Sequence, residues 1–147
     1  MNNKIYKKLN NFHLLFIETS KTINNVLLKE DLAISREQIG VFKLLNEHRQ
    51  LTVKEIADAQ GVFKTAVSKR IKKLEDRGFV IRVQSKDKRE KLIQLTNEGQ
   101  LFFDTRQEKL YTGLIQELNL KSEDIEKINN HVNEIKNIID ERKDNNE

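Results

Sequence analysis

The chain has 147 residues, a net charge of +4, no proline and only five glycines. A chain of this size can bury one hydrophobic core, and so few helix-breaking residues favour a mostly helical fold. The absence of cysteine excludes disulfides, thiolate metal sites, cysteine nucleophiles and thiol oxidation switches. The sequence has neither an apolar run of about 18 residues, the length of a membrane span, nor a recognisable signal peptide, so we expect a cytoplasmic protein.

The positive charge is concentrated in one part of the chain. Between Gly61 and Lys91, eleven basic side chains accompany four acidic ones, a net charge of +7, which leaves −3 for all other residues. An ordinary solvated surface would not segregate charge in this way, whereas a protein that binds the phosphate backbone of nucleic acid needs such a basic region. We therefore interpret this segment as a nucleic-acid-binding module.

Helical periodicity and capping signals predict three helices before the basic segment. Apolar residues at helical spacing over residues 5–27 predict a long amphipathic first helix. Ser35 and Thr52 each stand three residues before a Gln or Glu, the capping-box pattern that begins a helix. The helix after Thr52 is short and is predicted to end at Gly61. Two short capped helices before a glycine turn indicate a helix-turn-helix.

A fourth helix is predicted from Lys64 to Arg77, where Gly78 ends it. Its inward stripe consists of Val67, Ile71 and Leu74, and its outward stripe of Thr65, Ser68, Lys69, Lys72 and Asp76. Apolar alternation then predicts strands near 80–83 and 92–95, joined by the polar turn 84–90. This arrangement is typical of a β-hairpin with a charged tip.

Two further helices are predicted at the C-terminal end, with Thr96 and Ser122 as their N-caps. The last helix carries a coiled-coil-like apolar seam about two heptads long. The seam consists of Ile125, Ile128, Val132, Ile135 and Ile139. Each apolar stripe at the two ends of the chain can belong to the core of one chain or to a core shared in a homodimer.

Three segments, in this order along the chain, resemble the MarR family of bacterial transcriptional regulators. They are Leu51–Ala57, Lys64–Glu75 and Asp87–Gly99. The first two fit many helix-turn-helix proteins, whereas the third, an Asp-x-Arg turn that leads into Leu-Thr-x-x-Gly, is much more particular. Staphylococcal Sar-type regulators share this style of wing, so the subgroup within the family is left open.

The resemblance implies a mostly α fold with a small β-hairpin wing, a winged helix-turn-helix whose terminal helices form a dimerisation region. One domain would span residues 1–147, with dimerisation helices at about 1–30 and 100–147 and a DNA-binding lobe at about 35–98. We expect a homodimer on a pseudo-palindromic double-stranded DNA site whose half-sites lie about 10 bp apart. A repressor released by a small aromatic or anionic effector is expected. The alternatives are an activator or anti-repressor of the same fold, and a protein-interaction module that has lost DNA binding.

An α-helix fits the major groove of DNA, so the predicted contacts fall on the fourth helix and on the wing. The first turns would meet base edges, and basic residues to the side would contact phosphates. An arginine at the wing tip would enter the minor groove, with Asp87 holding it or pinning the hairpin. The predicted DNA-binding residues are Lys64, Thr65, Ser68, Lys69, Arg70, Lys72, Lys73, Lys88 and Arg89.

One residue departs from the family pattern. Members usually carry a small capping residue just before the recognition helix, where this sequence has Phe63. A phenylalanine cannot cap, and a missing cap costs about 1 kcal/mol. Either the helix begins differently, at Lys64 or Thr65, or Phe63 packs against the protein.

The sequence has no motif that indicates an enzymatic or a metal-binding function. His13, His48 and His131 are scattered, and neither a phosphate-binding glycine loop nor a nucleophile–base arrangement is present. We therefore expect no catalytic residue, no metal and no cofactor. An effector pocket, if the resemblance extends so far, would draw on residues near Phe12, Phe16 and Phe42, although these three are expected to be core.

Overall fold

The computed structural model describes residues 3–29, 34–87 and 89–146. The described residues form six α-helices and a three-stranded antiparallel sheet, so the predicted mostly α fold with a β-hairpin wing is confirmed. The elements, in chain order, are α1 (Asn3–Lys29), α2 (Arg36–His48), β1 (Leu51–Thr52), α3 (Val53–Gln60), α4 (Lys64–Asp76), β2 (Val80–Gln84), β3 (Lys91–Leu95), α5 (Asn97–Leu118) and α6 (Ser122–Asp144).

The chain forms two compact units. The central unit runs from Leu27 to Lys109, and the terminal unit combines the described residues up to Val26 with those from Leu110 onwards. The predicted N-terminal and DNA-binding segments had slightly different bounds, at about 1–30 and 35–98. The central unit holds α2, α3, α4 and the sheet, together with the first half of α5.

The core of the central unit surrounds Phe42, whose side chain is fully buried. Its ring lies 5.7–5.8 Å, centroid to centroid, from the rings of Phe79, Phe102 and Phe103. Phe79 and Phe102 stack on each other at 4.5 Å. Aromatic pairs at these separations add to the hydrophobic burial of each ring. This four-ring cluster packs α2, the turn after α4 and α5 together.

Local capping interactions fix where α2 and α3 begin, as predicted. The backbone N–H of Gln38 donates to Ser35 Oγ, and that of Glu55 donates to Thr52 Oγ1, each at 3.1 Å. In both cases the glutamine or glutamate side chain accepts from the backbone N–H of the cap, which completes the capping box. Gly61 ends α3 in the left-handed conformation at φ 65°.

The sheet has one strand more than the sequence predicts. The predicted hairpin is present, with β2 and β3 antiparallel and Val80 opposite Leu95. The additional strand, β1, is only two residues long and pairs with β3 on its other edge, so that Leu51 faces Ile93. A strand this short carries no alternation that a sequence pattern can detect.

A tight junction joins the end of α4 to the start of α5. The hydroxyl of Thr96 donates to the carbonyl oxygen of Gly78 at 2.6 Å and accepts from the N–H of Gly99 at 3.0 Å. The Thr96 N–H donates to the carbonyl oxygen of Phe79 at 3.0 Å. A Cβ atom at Gly99 would overlap that same carbonyl oxygen. Thr96 therefore caps α5 as predicted, and Gly99 is required for a close backbone approach.

The terminal unit contains most of α1, the second half of α5 and all of α6. Val26 and Leu110 are its buried apolar residues among those described. The prediction that Ser122 caps the last helix is wrong, because Ser122 already lies within α6 and Lys121 holds the N-cap position. The carboxylate of Asp124 accepts from the Lys121 backbone N–H at 2.9 Å and stabilises this start. In the described part of the chain, no helix is both long and apolar enough to cross a membrane.

Replacing Gly99 by alanine should destabilise the central unit. The added Cβ must push the Phe79 backbone away, and overpacking of this kind costs about 1–3 kcal/mol. Urea unfolding followed by circular dichroism measures the change. Gly40→Ala on α2 is the control, since its Cβ meets the end of the Gln60 side chain rather than backbone, so that only the hydrogen bonds of Gln60 must shift. Equal stability of the two variants would contradict the close-approach argument.

Candidate nucleic-acid interface

The helix α4 is held by a narrow buried stripe. Val67, Ile71 and Leu74 are fully buried and anchor it in the central unit. The opposite side of the helix is open to solvent. Six of the predicted DNA-binding residues are exposed on it: Lys64, Thr65, Ser68, Lys69, Lys72 and Lys73. The structure thus brings these six side chains onto one helix surface, which is the arrangement that a groove-reading helix needs.

The single ion pair on this surface among the described residues is weak. Lys72 Nζ lies 3.4 Å from Asp76 Oδ1, and both side chains are more than half exposed. Exposed pairs of this spacing stabilise a helix by less than about 1 kcal/mol. Lys72 can therefore exchange Asp76 for a phosphate at little cost.

Arg70 is placed differently from the other predicted residues. It is half-buried, and its guanidinium donates to Gln60 Oε1 at 2.6 Å. The amide of Gln60 in turn donates to the carbonyl oxygen of Glu37 at 3.2 Å. Arg70 thereby links α4 to α3 and α2, a structural role that the sequence did not indicate. Its remaining N–H groups leave a phosphate contact possible, and that contact stays a prediction.

A second arginine, Arg82, fixes α4 to the wing. Arg82 Nε on β2 lies 3.0 Å from Glu75 Oε1 on α4, and both side chains are about two-thirds covered. Partial burial makes such a pair stronger than a fully exposed one. Arg77, at the end of α4, stacks on the Phe79 ring with its guanidinium carbon 4.8 Å from the centroid. The helix and the base of the wing are thus joined through side chains as well as through the sheet.

The wing tip carries Arg89 and Asp87. Arg89 Nε lies 3.8 Å from Asp87 Oδ1, and the Arg89 N–H donates to the Asp87 carbonyl oxygen at 2.7 Å. Both side chains are largely exposed, at 86% and 76%. A pair this long and exposed is weak, so the support of Arg89 by Asp87 and the insertion of Arg89 into a groove both stay predictions. The predicted contact residue Lys88 lies outside the described residues.

A shallow basic depression of about 270 Å³ opens where α3, α4 and the wing strands meet. Its charged lining brings together Lys54, Lys64, Arg82, Glu90 and Lys91. Lys54 and Lys91 were not among the predicted contact residues, because only the fold brings them beside Lys64.

One signal for an anion beside Lys64 was available in the sequence. Lysine in the first turn of a helix opposes the helix dipole, which favours negative charge there. Lys54 lies in the first turn of α3, and α4 begins with Lys64 and has no acidic residue in its first turn. The first turn of α3 also holds Glu55, so it is the start of α4 that indicates an external anion as the compensating charge.

Phe63 occupies the N-cap position of α4. Its φ and ψ of −75° and 151° are those of a normal cap, and its side chain makes no cap hydrogen bond. The helix begins at Lys64, and the carbonyl of Phe63 accepts the N–H of Ala66 at 3.1 Å. The phenyl ring is 85% exposed. Of the two alternatives for this position, packing of Phe63 against the protein is therefore wrong, and the helix begins at Lys64.

The three phenylalanines expected near an effector pocket separate into two groups. Phe42 is core, as expected, and its burial prevents it from lining an open pocket. Phe12 and Phe16 are 50% and 62% exposed, so the expectation that they are core of the single chain is wrong. Among residues 3–29, 34–87 and 89–146, no three His, Asp or Glu side chains converge as a metal site would require.

The family model of the MarR family matches residues 34–91 of this chain, which contain α2, α3, α4 and most of the hairpin. The HTH-type transcriptional regulator TcaR of Staphylococcus aureus (strain Newman) is 38% identical over 130 residues, which cover 79% of this chain and 83% of TcaR. The chain belongs to the MarR family. The Bacillus subtilis (strain 168) regulator YfiV, itself uncharacterised, is 33% identical over 105 residues, covering 71% of this chain and 66% of YfiV.

Solved MarR structures share the fold. A MarR family protein from Bacillus stearothermophilus superposes with a TM-score of 0.77 at 18% identity, covering 95% of this chain and 98% of that one. A MarR mutant from E. coli complexed with operator DNA gives a TM-score of 0.64 at 21% identity, covering 90% and 96%. MarR proteins are transcriptional regulators and not enzymes, so the predicted class, a DNA-binding regulator without catalytic function, is confirmed.

Proposed function

We propose that this MarR-family chain binds double-stranded DNA in a sequence-specific manner as a homodimer, with α4 in the major groove and the wing tip in a minor groove. The observation that carries the proposal is the exposed surface of α4, where four lysines, a threonine and a serine lie opposite the buried stripe. The major groove of RNA is too narrow and deep for a helix, so such a surface favours duplex DNA.

The two ends of α4 suit different parts of DNA. Thr65 and Ser68 lie in the first turns, carry short hydroxyl side chains and can approach base edges closely. Lys69, Lys72 and Lys73 follow, and their long cationic side chains can reach phosphates on either side of the groove. Base contacts would then give specificity, and phosphate contacts would give orientation and most of the affinity.

The basic depression supports a further backbone contact. Lys54, Lys64 and Lys91 surround a concavity large enough for a phosphate, beside the start of α3. A phosphate there would supply the negative charge that the first turn of α4 lacks. The wing-tip residue Arg89 is more weakly hydrated than a lysine and suits the narrow minor groove, where negative potential is concentrated.

The terminal unit supports the homodimer. Nine apolar residues at helical spacing on α1 and α6 are between 37% and 62% exposed in the single chain. These residues are Ile5, Leu9, Phe12, Phe16, Ile125, Ile128, Val132, Ile135 and Ile139. Two apolar stripes of this length exceed what a monomeric protein normally leaves in water. A second copy of the same chain offers the same stripes, as a two-fold symmetric interface requires.

We extend the proposal to repression that a small aromatic or anionic effector relieves. The support is the family membership. In a dimer, the distance between the two recognition helices decides whether both half-sites are contacted, and a bound ligand can change that distance.

Replacing Lys69 or Arg89 by alanine should weaken binding of the full-length protein to its DNA site by at least about fivefold, because each removes a positive charge from the DNA surface. The site is first selected from a randomised duplex library, and affinity is then measured by fluorescence anisotropy at several salt concentrations. For the wild-type protein, affinity should fall steeply as salt rises.

Lys127→Ala on α6 is the control, since it removes the same charge from the outward side of a helix in the terminal unit. It should leave DNA affinity unchanged. Wild-type affinity of the Lys69→Ala protein would show that Lys69 does not contact DNA. The same result for Arg89→Ala would show that the wing tip does not contact DNA. An affinity independent of salt would contradict the proposed function as a whole.

Replacing Val132 by glutamate should dissociate the homodimer, because a carboxylate would be buried in an apolar interface without a partner. We expect the dimer dissociation constant to rise by at least about tenfold, as measured by sedimentation equilibrium. Asn130→Glu, on the opposite side of α6, should leave the dimer intact. A Val132→Glu protein that remains dimeric at low micromolar concentration would show that the α6 seam is not the interface.

The direction of regulation can be measured in cells with a reporter driven by the natural promoter that contains the strongest selected site. Expression should fall when the chain is produced and should recover when a small aromatic anion such as benzoate is added. Increased expression on production of the chain would identify an activator instead. Repression that benzoate and related aromatic anions leave unchanged would contradict the effector part of the proposal.

A further inference from the structure

Phe63 presents a large apolar ring at the start of the basic helix. Among the large apolar residues that the structure describes, its side chain is the most exposed, at 85%. Single exposed apolar residues are common on protein surfaces, so exposure alone does not assign a role. Phe63 differs from other exposed apolar residues in its position, directly before the first residues of α4.

Helix stability does not explain this residue. The two preceding helices, α2 and α3, begin with Ser35 and Thr52, whose hydroxyls accept backbone N–H groups. At the equivalent position of α4, Phe63 leaves those N–H groups without a side-chain acceptor. Ser, Thr, Asp or Asn would stabilise this helix start better. Phe63 therefore neither caps α4 nor packs inward, and its ring faces solvent.

The surroundings of Phe63 are apolar. The ring borders an open depression of about 620 Å³ with Ala57, Gly61, Val62 and Ala66, and one carboxylate, that of Asp58, lies at its edge. That carboxylate would repel a phosphate, so this side of the helix start does not suit the DNA backbone. Ala66 follows Phe63 by three residues, and Lys69 and Lys73 continue the same side of α4. Along this side an apolar first turn is followed by basic ones.

The edges of the bases in the major groove offer hydrogen-bond donors and acceptors and one apolar group, the C5-methyl group of thymine. A recognition helix approaches those edges with its N-terminal residues. We propose that Phe63 packs against the C5-methyl group of a thymine in each half-site and is a specificity-determining residue. The inference rests on the proposed function of α4 as the recognition helix.

The experiment removes the methyl group from the DNA and the ring from the protein. Full-length wild-type protein is used to select its site from a randomised duplex library, and each thymine of the selected site is then replaced in turn by uracil. Uracil keeps every hydrogen-bonding group of thymine and lacks only the methyl group. At one position in each half-site, we expect the replacement to weaken binding about fourfold, the effect of one buried methyl group.

Phe63→Ser is the decisive variant, because its hydroxyl can cap α4. It should raise the melting temperature by about 2–4 °C and should bind the thymine and uracil duplexes equally. Phe63→Leu keeps an apolar side chain and should retain part of the preference for thymine. Lys73→Ala is the matched control on the same helix: it should weaken binding to both duplexes by the same factor and keep their ratio.

The possible failures are distinguishable. If the wild-type protein enriches no sequence from the library, the proposed function fails and the role of Phe63 fails with it. If a site is selected but uracil is tolerated at every position, the proposed function stands and the methyl contact is overturned. The contact is also overturned if the Phe63→Ser protein still prefers the thymine duplex to the uracil duplex as strongly as the wild type does.

Discussion

The close approach of the backbone at Phe79 to Gly99 is the constraint on which the central unit depends. It brings the end of α4, the first wing strand and the start of α5 to one point, and the Thr96 hydroxyl bridges them with two hydrogen bonds. The Phe79 side chain at this point belongs to the ring cluster around Phe42. The position of α4 relative to the wing is therefore set by this backbone contact together with the Arg82–Glu75 pair.

Most of the fold could be predicted because its signals are local. A capping box such as that of Thr52 acts over three residues, and the buried stripe of α4 repeats every three or four, so both are legible in the sequence. The two-residue strand β1 was missed because it exists only through pairing with β3, about forty residues away in the chain. The start of α6 was misplaced by one residue. Lys121 is the N-cap although its side chain is not of a capping type, because its backbone N–H donates to the Asp124 carboxylate.

The exposed residues of α4 in the candidate site could also be predicted, because their placement follows from local helical periodicity. Once Val67 and its neighbours define the buried side of α4, the exposed side follows from helix geometry. What could not be predicted depends on contacts between elements. The half-buried Arg70 bound to Gln60, the Arg82–Glu75 pair and the position of Lys54 beside the wing are consequences of tertiary packing.

The lysine at the start of α4 places a positive charge against the positive end of a helix dipole, in a first turn that has no acidic residue. In the free protein this arrangement is electrostatically frustrated, and substitution of acidic residues there would relieve it. An anion that binds at this point completes a charge pattern that the chain leaves incomplete. Part of the affinity for such an anion therefore originates in the unfavourable electrostatics of the empty state, and the surface is best satisfied only when it is occupied.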